Sequence, residues 1–277
     1  MATRWRWSTA EAVRAPVDWV WLLFIASSMP VPGGNRVYSP SQSSVDAGAP
    51  KGPPRMPDHQ PIAELLLGRP PMDRELPVFD PGRAPAEPGP LFADWLAQAV
   101  AAGVPDPQVV TLSTVDAQGA PDARVLVLRD VRGAGADWVF AADADSPKGR
   151  QLAGNPAAAL TLYWPLQGRQ IRVRGTVEPQ SAKVSAVEFL TRSPASRVAS
   201  LVGRQSEVLA SAADYDAAER AAGQRLAEQP DTIAAGHTVY LLRAGEVEFW
   251  QGDPGRRHVR LRYAAADGGW TSVLLWP

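Results

Sequence analysis

Nine short runs in which apolar and polar residues alternate constrain this chain more than any other feature. In order they are "VVTLSTVD", "ARVLVLRD", "WVFAA", "AALTLYW", "RQIRVRGTVE", "TVYLLR", "EVEFWQG", "HVRLRY" and "WTSVLLW". A period of two sends alternate side chains to opposite faces of a strand. Turn-like joints such as "AQGAPD" and the Gly-rich "VRGAGAD" separate the runs. Many short strands with tight turns, and helical segments inserted between them, predict a mainly β fold with helical additions, a β-barrel of the α+β type. No internal repeat is evident.

Two helices are predicted ahead of the strands. "PIAELLLG" gives a short one. "GPLFADWLAQAVAAG" gives a longer one, starting at Pro90 and stopped by Gly103. Leu91, Trp95 and Ala99 recur at helical spacing, as do Phe92, Leu96 and Val100, which marks them as core.

The start of the chain has a different character. Sixteen of its 27 prolines fall in the first 90 residues, and "VPGGNRVYSPSQSSVDAGAPKGPPR" is rich in Pro, Gly and Ser without periodicity. Such composition cannot bury enough apolar surface to order itself. "WVWLLFIA" is shorter than the ~20 residues that a membrane-spanning helix needs. Behind Arg4, Arg6 and Arg14 it resembles a signal-peptide core. We read residues 1–56 as a disordered or non-native extension, with Met56 as an alternative start, and residues 57–277 as one domain.

Composition narrows the chemistry. A net charge of −1 argues against nucleic acid or a membrane surface as the general partner. The absence of cysteine excludes disulfides, thiolate metal sites and thiol nucleophiles. The three histidines, His59, His237 and His258, form no HExxH or other spaced metal motif, so no metal is expected. Neither a P-loop nor a GxGxxG pattern occurs.

Four clusters remain as candidate chemistry. In "DSPKGRQL", Ser146 suits a helix N-cap, Pro147 the first helical position, and Lys148 follows at once. The free N–H groups and dipole of a helix start attract an anion. A capped helix with a solvated lysine accounts for the same residues. In "RVLVLR", Arg124 and Arg129 offer planar forks suited to phosphate. Their opposite parity means that they share a site only through a bulge, a bend or a strand end. In "RSPASR" and "GRQS", Arg192, Ser196, Gln205 and Ser206 can bond a phosphate or a heterocycle edge, while Ser193 reads as a helix cap. In "RRHVRLRY", a strand would put Arg256, His258, Arg260 and Arg262 on one face. That row repels itself unless an anion or acidic groups compensate; a solvent-facing edge strand is the alternative.

In order along the chain, "PLFADWL", "VVTLSTVDAQGAPDARVLVLRD", "SPKGRQLAGNPAAALTLYWPLQGRQIRVRGTVE", "RSPASR", "GRQS" and "EFWQGDPGRRHVRLRY" together resemble the pyridoxamine 5′-phosphate oxidase family, over roughly residues 75 to 277. The resemblance implies an FMN-binding split β-barrel homodimer with FMN in clefts between subunits. It implies oxidation of pyridoxine or pyridoxamine 5′-phosphate to pyridoxal 5′-phosphate, with O2 as acceptor and H2O2 as product. The implied partners are a phosphorylated pyridine and O2, and the implied location is cytoplasmic. Arg124 and Lys148, with Ser146 nearby, would hold the FMN phosphate, and Arg129 would serve flavin or substrate. Gln170 would meet the isoalloxazine edge. Gln205 and Ser206 would reach FMN from the other subunit. Trp250 and Arg260 would pack on or bond the flavin. Arg192 and Ser196 would bind the substrate phosphate, and Arg256 and His258 would sit over the substrate ring as the catalytic pair.

The chain departs from the family's usual pattern in four places. Arg129 replaces a usual Lys, Pro147 a usual Arg, Val259 a frequent Asp, and Glu188 a tyrosine of the substrate-phosphate site. A carboxylate at that last position would repel a phosphate. A related FMN-dependent oxidase of another aromatic substrate, as in secondary metabolism, is therefore the alternative. A non-catalytic split-barrel binder of flavin or another cofactor is the reading from a different class.

Overall fold

The computed structural model describes residues 61–68 and 70–277. The reading of residues 1–56 and the boundary after them lie outside the described residues. Eight strands form one antiparallel sheet: β1 Val109–Val115, β2 Pro121–Arg132, β3 Asp137–Asp143, β4 Ala157–Trp164, β5 Arg169–Pro179, β6 His237–Gln251, β7 Val259–Ala266 and β8 Gly269–Leu275. Their order is β3-β2-β1-β4-β5-β6-β7-β8, with a further pairing of β3 and β6. That pairing closes six strands into a barrel and leaves β7 and β8 as an extension of it.

Two expected strands are one. "TVYLLR" and "EVEFWQG" join in β6, and "AG" between them holds a bulge. Arg174 pairs with Glu246 and Gly175 with Ala244, so Gly245 is the extra residue. A bulge bends a strand without ending it. Before the bend, residues 237–243 pair with β3; after it, residues 246–251 pair with β7. The crossing needs Gly175, where a Cβ would lie 1.8 Å from the carbonyl oxygen of Arg243. A second bulge falls in β2, where Leu128 opposes Phe140 and Asp130 opposes Val139, leaving Arg129 as the extra residue.

A helix packs against the barrel. The longer predicted helix is α2, Pro88–Ala101, and starts two residues earlier than expected because Pro88 can occupy its first turn. Gly103 leaves it with φ +67, as a helix stop requires. Leu91, Phe92, Trp95 and Ala99 are buried and Leu96 is partly buried, whereas Val100 is exposed. Trp95 meets Phe249 edge-on at 5.2 Å and Phe92 meets Trp138 at 4.7 Å. The predicted short helix is α1, Ile62–Leu67, which buries nothing.

The remaining helices are α3 Pro147–Gly154, α4 Ala182–Leu190, α5 Pro194–Val202 and α6 Ala212–Glu228. Each starts on a serine, at 146, 181, 193 and 211, whose hydroxyl accepts an N–H of the first turn. Among the described residues no helix is long and apolar enough to cross a membrane.

Candidate functional site

A cleft of about 570 Å³ opens between β2, β3, the start of α3 and the loop after α5. Arg124, Lys148, Arg192, Gln205, Ser206 and His237 all line it. Arg124 stands on β2 opposite the buried Leu112 of β1. Its Nη1 donates to Thr114 Oγ1 at 2.5 Å and its Nη2 to Gln151 Oε1 at 3.1 Å, and Asp122 forms an ion pair with it. Gln151 was not anticipated as part of the site. It lies three residues after Lys148, hence on the same side of α3.

Lys148 is the second residue of α3. Its Nζ donates to Ser146 Oγ at 3.2 Å and also contacts Gln205 Oε1. Burial lowers the Lys148 ammonium below its usual value, and Arg124 lowers it further, against the raising pull of Asp143 and Asp122. Among the described residues no carboxylate is ion-paired with Lys148. A partly buried ammonium near another cation at a helix start is a seat for an anion.

Two expectations change here. Ser146 is fully buried, and its hydroxyl donates to the Asp143 carbonyl at 2.5 Å while accepting from Gly149 N–H and Lys148. It touches the cleft only by holding Lys148. Gln205 and Ser206 were expected to arrive from another subunit, but Gln205 meets Lys148 within the same chain. The loop that carries them, after α5, is strained: the non-glycine residues Arg204 and Ser206 both have positive φ.

At the other end of the cleft Glu188, near the end of α4, gathers three partners. Arg192 Nε donates to both its carboxylate oxygens, at 3.1 and 3.0 Å. His237 Nε2 lies 2.6 Å from Oε2, and Arg129 Nε lies 3.5 Å from Oε1. Burial raises the Glu188 carboxyl, but the hydrogen bonds of His237 and Arg192 more than reverse this and bring it down to about 2. The bulge at Arg129 makes the meeting possible, since it resets the parity of β2. His237 was missed by sequence reasoning. It was one of three histidines weighed only as metal ligands, and its partner lies 49 residues away. Ser196 does not come to this place; it is exposed in the first turn of α5, its hydroxyl 3.0 Å from that of Ser193.

The other expected residues form a second region, and none of them lines the cleft. Gln170 on β5 opposes Trp250 on β6, which opposes Arg260 on β7. The row proposed for "RRHVRLRY" is only half right. β7 begins at Val259, so Arg256, Arg257 and His258 belong to the preceding turn, with Arg256 at φ +66. Arg260 and Arg262 do share a face, and acidic groups compensate them. Glu248, 2% exposed, takes Arg260 Nε at 2.7 Å and Arg172 Nη2 at 2.5 Å. Glu246 takes Arg262 at 3.6 Å. His258 tilts over Trp250 at 4.8 Å, and its Nδ1 accepts the Asp253 N–H at 3.0 Å. The neutral ring therefore carries its proton on Nε2 and presents a donor.

Comparison with known proteins agrees with this architecture. Residues 96–251 match the family described as pyridoxamine 5′-phosphate oxidase. Residues 237–277 match the pyridoxine 5′-phosphate oxidase C-terminal dimerisation region. The pyridoxine/pyridoxamine 5′-phosphate oxidase of Hyphomonas neptunium is 40% identical over 196 residues, 68% of this chain and 85% of that protein. That of Rhodococcus jostii is 39% identical over 189 residues, 68% and 84% of the two chains. Among solved structures, PhzG from Burkholderia lata 383, in complex with tetrahydrophenazine-1-carboxylic acid, aligns with a TM-score of 0.65 at 28% identity, covering 73% of this chain and 99% of its own. A pyridoxamine 5′-phosphate oxidase-related, FMN-binding protein from Nostoc punctiforme shares the fold, with a TM-score of 0.56 at 20% identity, covering 72% and 98%.

Proposed function

This chain belongs to the pyridoxamine 5′-phosphate oxidase family, and from that premise we propose that it is an FMN-dependent oxidase of a small aromatic substrate. The observation that carries the cofactor is the Arg124–Lys148–Gln205 end of the cleft. Its donors are cationic or amide groups at a helix start, and Lys148 has no carboxylate partner there. That donor set fits a phosphate monoester. Arg124 and Lys148 would hold the FMN phosphate, with Gln205 and Ser206 beside them, while Thr114, Gln151 and Ser146 fix the two cations in place.

Bound FMN supplies the hydride acceptor and the route for electrons to O2. The chain's own work is to clamp, orient and shield. Fixing both ligands replaces an encounter with a preset geometry, the main lever that such a protein has. Arg192 and His237 would orient the substrate from the cleft. His258 would donate from Nε2 to a substrate heteroatom rather than accept a proton there.

We take the assembly to be a homodimer. Val125, Val127 and Tyr163 on the barrel and Val273 on its β8 extension are exposed, and the C-terminal match is to a dimerisation region. A second copy would complete the cleft with its Gln170, Trp250, Arg256, His258 and Arg260, which lie away from the cleft of their own chain.

Two substrate readings follow. The relatives' activity favours pyridoxine or pyridoxamine 5′-phosphate, giving pyridoxal 5′-phosphate. Glu188 favours the second, a related oxidase of another aromatic compound, in keeping with what the PhzG structure holds. The test is direct. The purified protein should carry flavin absorbance and release peroxide with an aromatic substrate. Rapid peroxide release with pyridoxine 5′-phosphate selects the first reading; a flavin-bound protein inert to it selects the second. A protein that takes up no FMN defeats both.

A further inference from the structure

The substrate end of the cleft contains its own anion. Glu188 is held by Arg192 through both carboxylate oxygens, by His237 at 2.6 Å and by Arg129 at 3.5 Å. Glu188, Arg192 and His237 are largely buried, with side-chain exposures of 21%, 13% and 3%, while Arg129 is exposed at 39%. Arg192 and His237 line the cleft, so any ligand reaching that end meets a guanidinium already engaged by a carboxylate, while Arg129 meets Glu188 without lining the cleft.

Charge counting gives the consequence. Arg129 and Arg192 carry two positive charges, and Glu188 removes one. We propose that Glu188 is a specificity-determining residue, a built-in counter-ion that suits this end of the cleft to a substrate carboxylate and disfavours a phosphate monoester. A carboxylate brings one negative charge and leaves the cluster neutral. A phosphate monoester brings close to two and leaves a net negative charge beside Glu188. Like charges ~4 Å apart near a protein surface weaken binding by at least tenfold. The substrate class is therefore an aromatic carboxylate. This rests on the oxidase reading only in assuming that the cleft takes the substrate.

The test compares two probes that differ in the anion alone, benzoate and phenyl phosphate. Binding of both probes is measured by calorimetry on FMN-loaded protein in the same buffer at the same pH. Wild type should bind benzoate at least tenfold more tightly than phenyl phosphate. Glu188→Gln should shift that ratio toward phenyl phosphate by about tenfold or more, and Arg192→Ala should weaken both probes. Tighter binding of phenyl phosphate by wild type overturns the proposal, as does an unchanged ratio in Glu188→Gln. The wild-type comparison decides even if the variant does not fold. A wild-type chain that takes up no FMN defeats the oxidase reading, and the same probes on the flavin-free chain still decide the role of Glu188.

Discussion

On the outer face of β5, β6 and β7, Arg172, Arg260 and Arg262 meet Glu246 and Glu248. In the cleft, Arg124 and Lys148 meet a single carboxylate in direct contact, Asp122, which pairs with Arg124 alone. In the first region every one of these arginines has a carboxylate partner. The second has fewer cations and an ammonium left for a ligand. The number of basic residues in a segment is thus a poor guide to where an anion binds. What counts is the carboxylates that the fold brings to them across strands, and "EFWQGDPGRRHVRLRY" carries its own in Glu248.

The sharpest way to break this comparison is to delete the compensating carboxylate. Removing one partner of a buried ion cluster costs about 3–5 kcal/mol, because the opposite charges stay behind. Glu248→Ala should lose on the order of 3 kcal/mol in denaturant unfolding, while Glu248→Gln, which keeps a hydrogen-bond acceptor, should lose less. A melt unchanged in Glu248→Ala would mean that Arg172 and Arg260 are solvated after all.

The second effect is smaller and depends on pH. The Glu188 carboxyl titrates near 2 in the folded chain, below its ordinary 4.5. A depressed carboxyl contributes stability above the unfolded value that is lost as pH falls through the folded one. Wild type should lose on the order of 2 kcal/mol from this group between about pH 4.5 and pH 2, after allowance for partial exposure. Glu188→Gln should show a flatter acid limb over the same window. Parallel limbs would remove the carboxylate from the cluster.

The smallest effect separates a cap from a cap that also positions a cation. Ser193→Ala and Ser146→Ala should each cost about 1 kcal/mol of stability. Only Ser146→Ala should also weaken FMN binding, because only Ser146 holds a cleft cation, Lys148. Equal loss of FMN in both variants would reduce Ser146 to an ordinary cap.

The barrel was legible in the sequence because alternation and turn residues are local signals. The helices α2, α3 and α5 were legible because Ser-Pro starts and the Gly103 stop are local too, whereas α4 and α6, which begin Ser-Ala, were expected only as unplaced helical segments. What escaped was set by backbone irregularity and by distance along the chain. Gly245 looked like the end of a strand and is a bulge within one, since the residue that makes room for it is Gly175, on the neighbouring strand. The parity of Arg124 and Arg129 posed the right question: Arg129 sits at a bulge and reaches Glu188, but Arg124 lines the cleft and Arg129 does not. The Glu188–His237 contact joins α4 to the start of β6, and no spacing rule covers such a pair. The resemblance marked Glu188 as a departure, but only the fold shows that it engages two arginines.

The central claim, that the cleft's cations are reserved for a ligand phosphate while those of the sheet face are matched internally, is tested by measuring FMN against riboflavin. The two differ only by the phosphate. Each charge-assisted contact to that group is worth roughly 1.5–3 kcal/mol, or about 10- to 150-fold in affinity. Wild type should prefer FMN strongly. Lys148→Ala and Arg124→Ala should each narrow the FMN-to-riboflavin ratio by at least tenfold, chiefly by weakening FMN. Arg260→Ala should weaken both flavins alike or neither, and leave the ratio unchanged. A ratio that survives Lys148→Ala and Arg124→Ala but collapses in Arg260→Ala would contradict the account, and would place the phosphate on the sheet face.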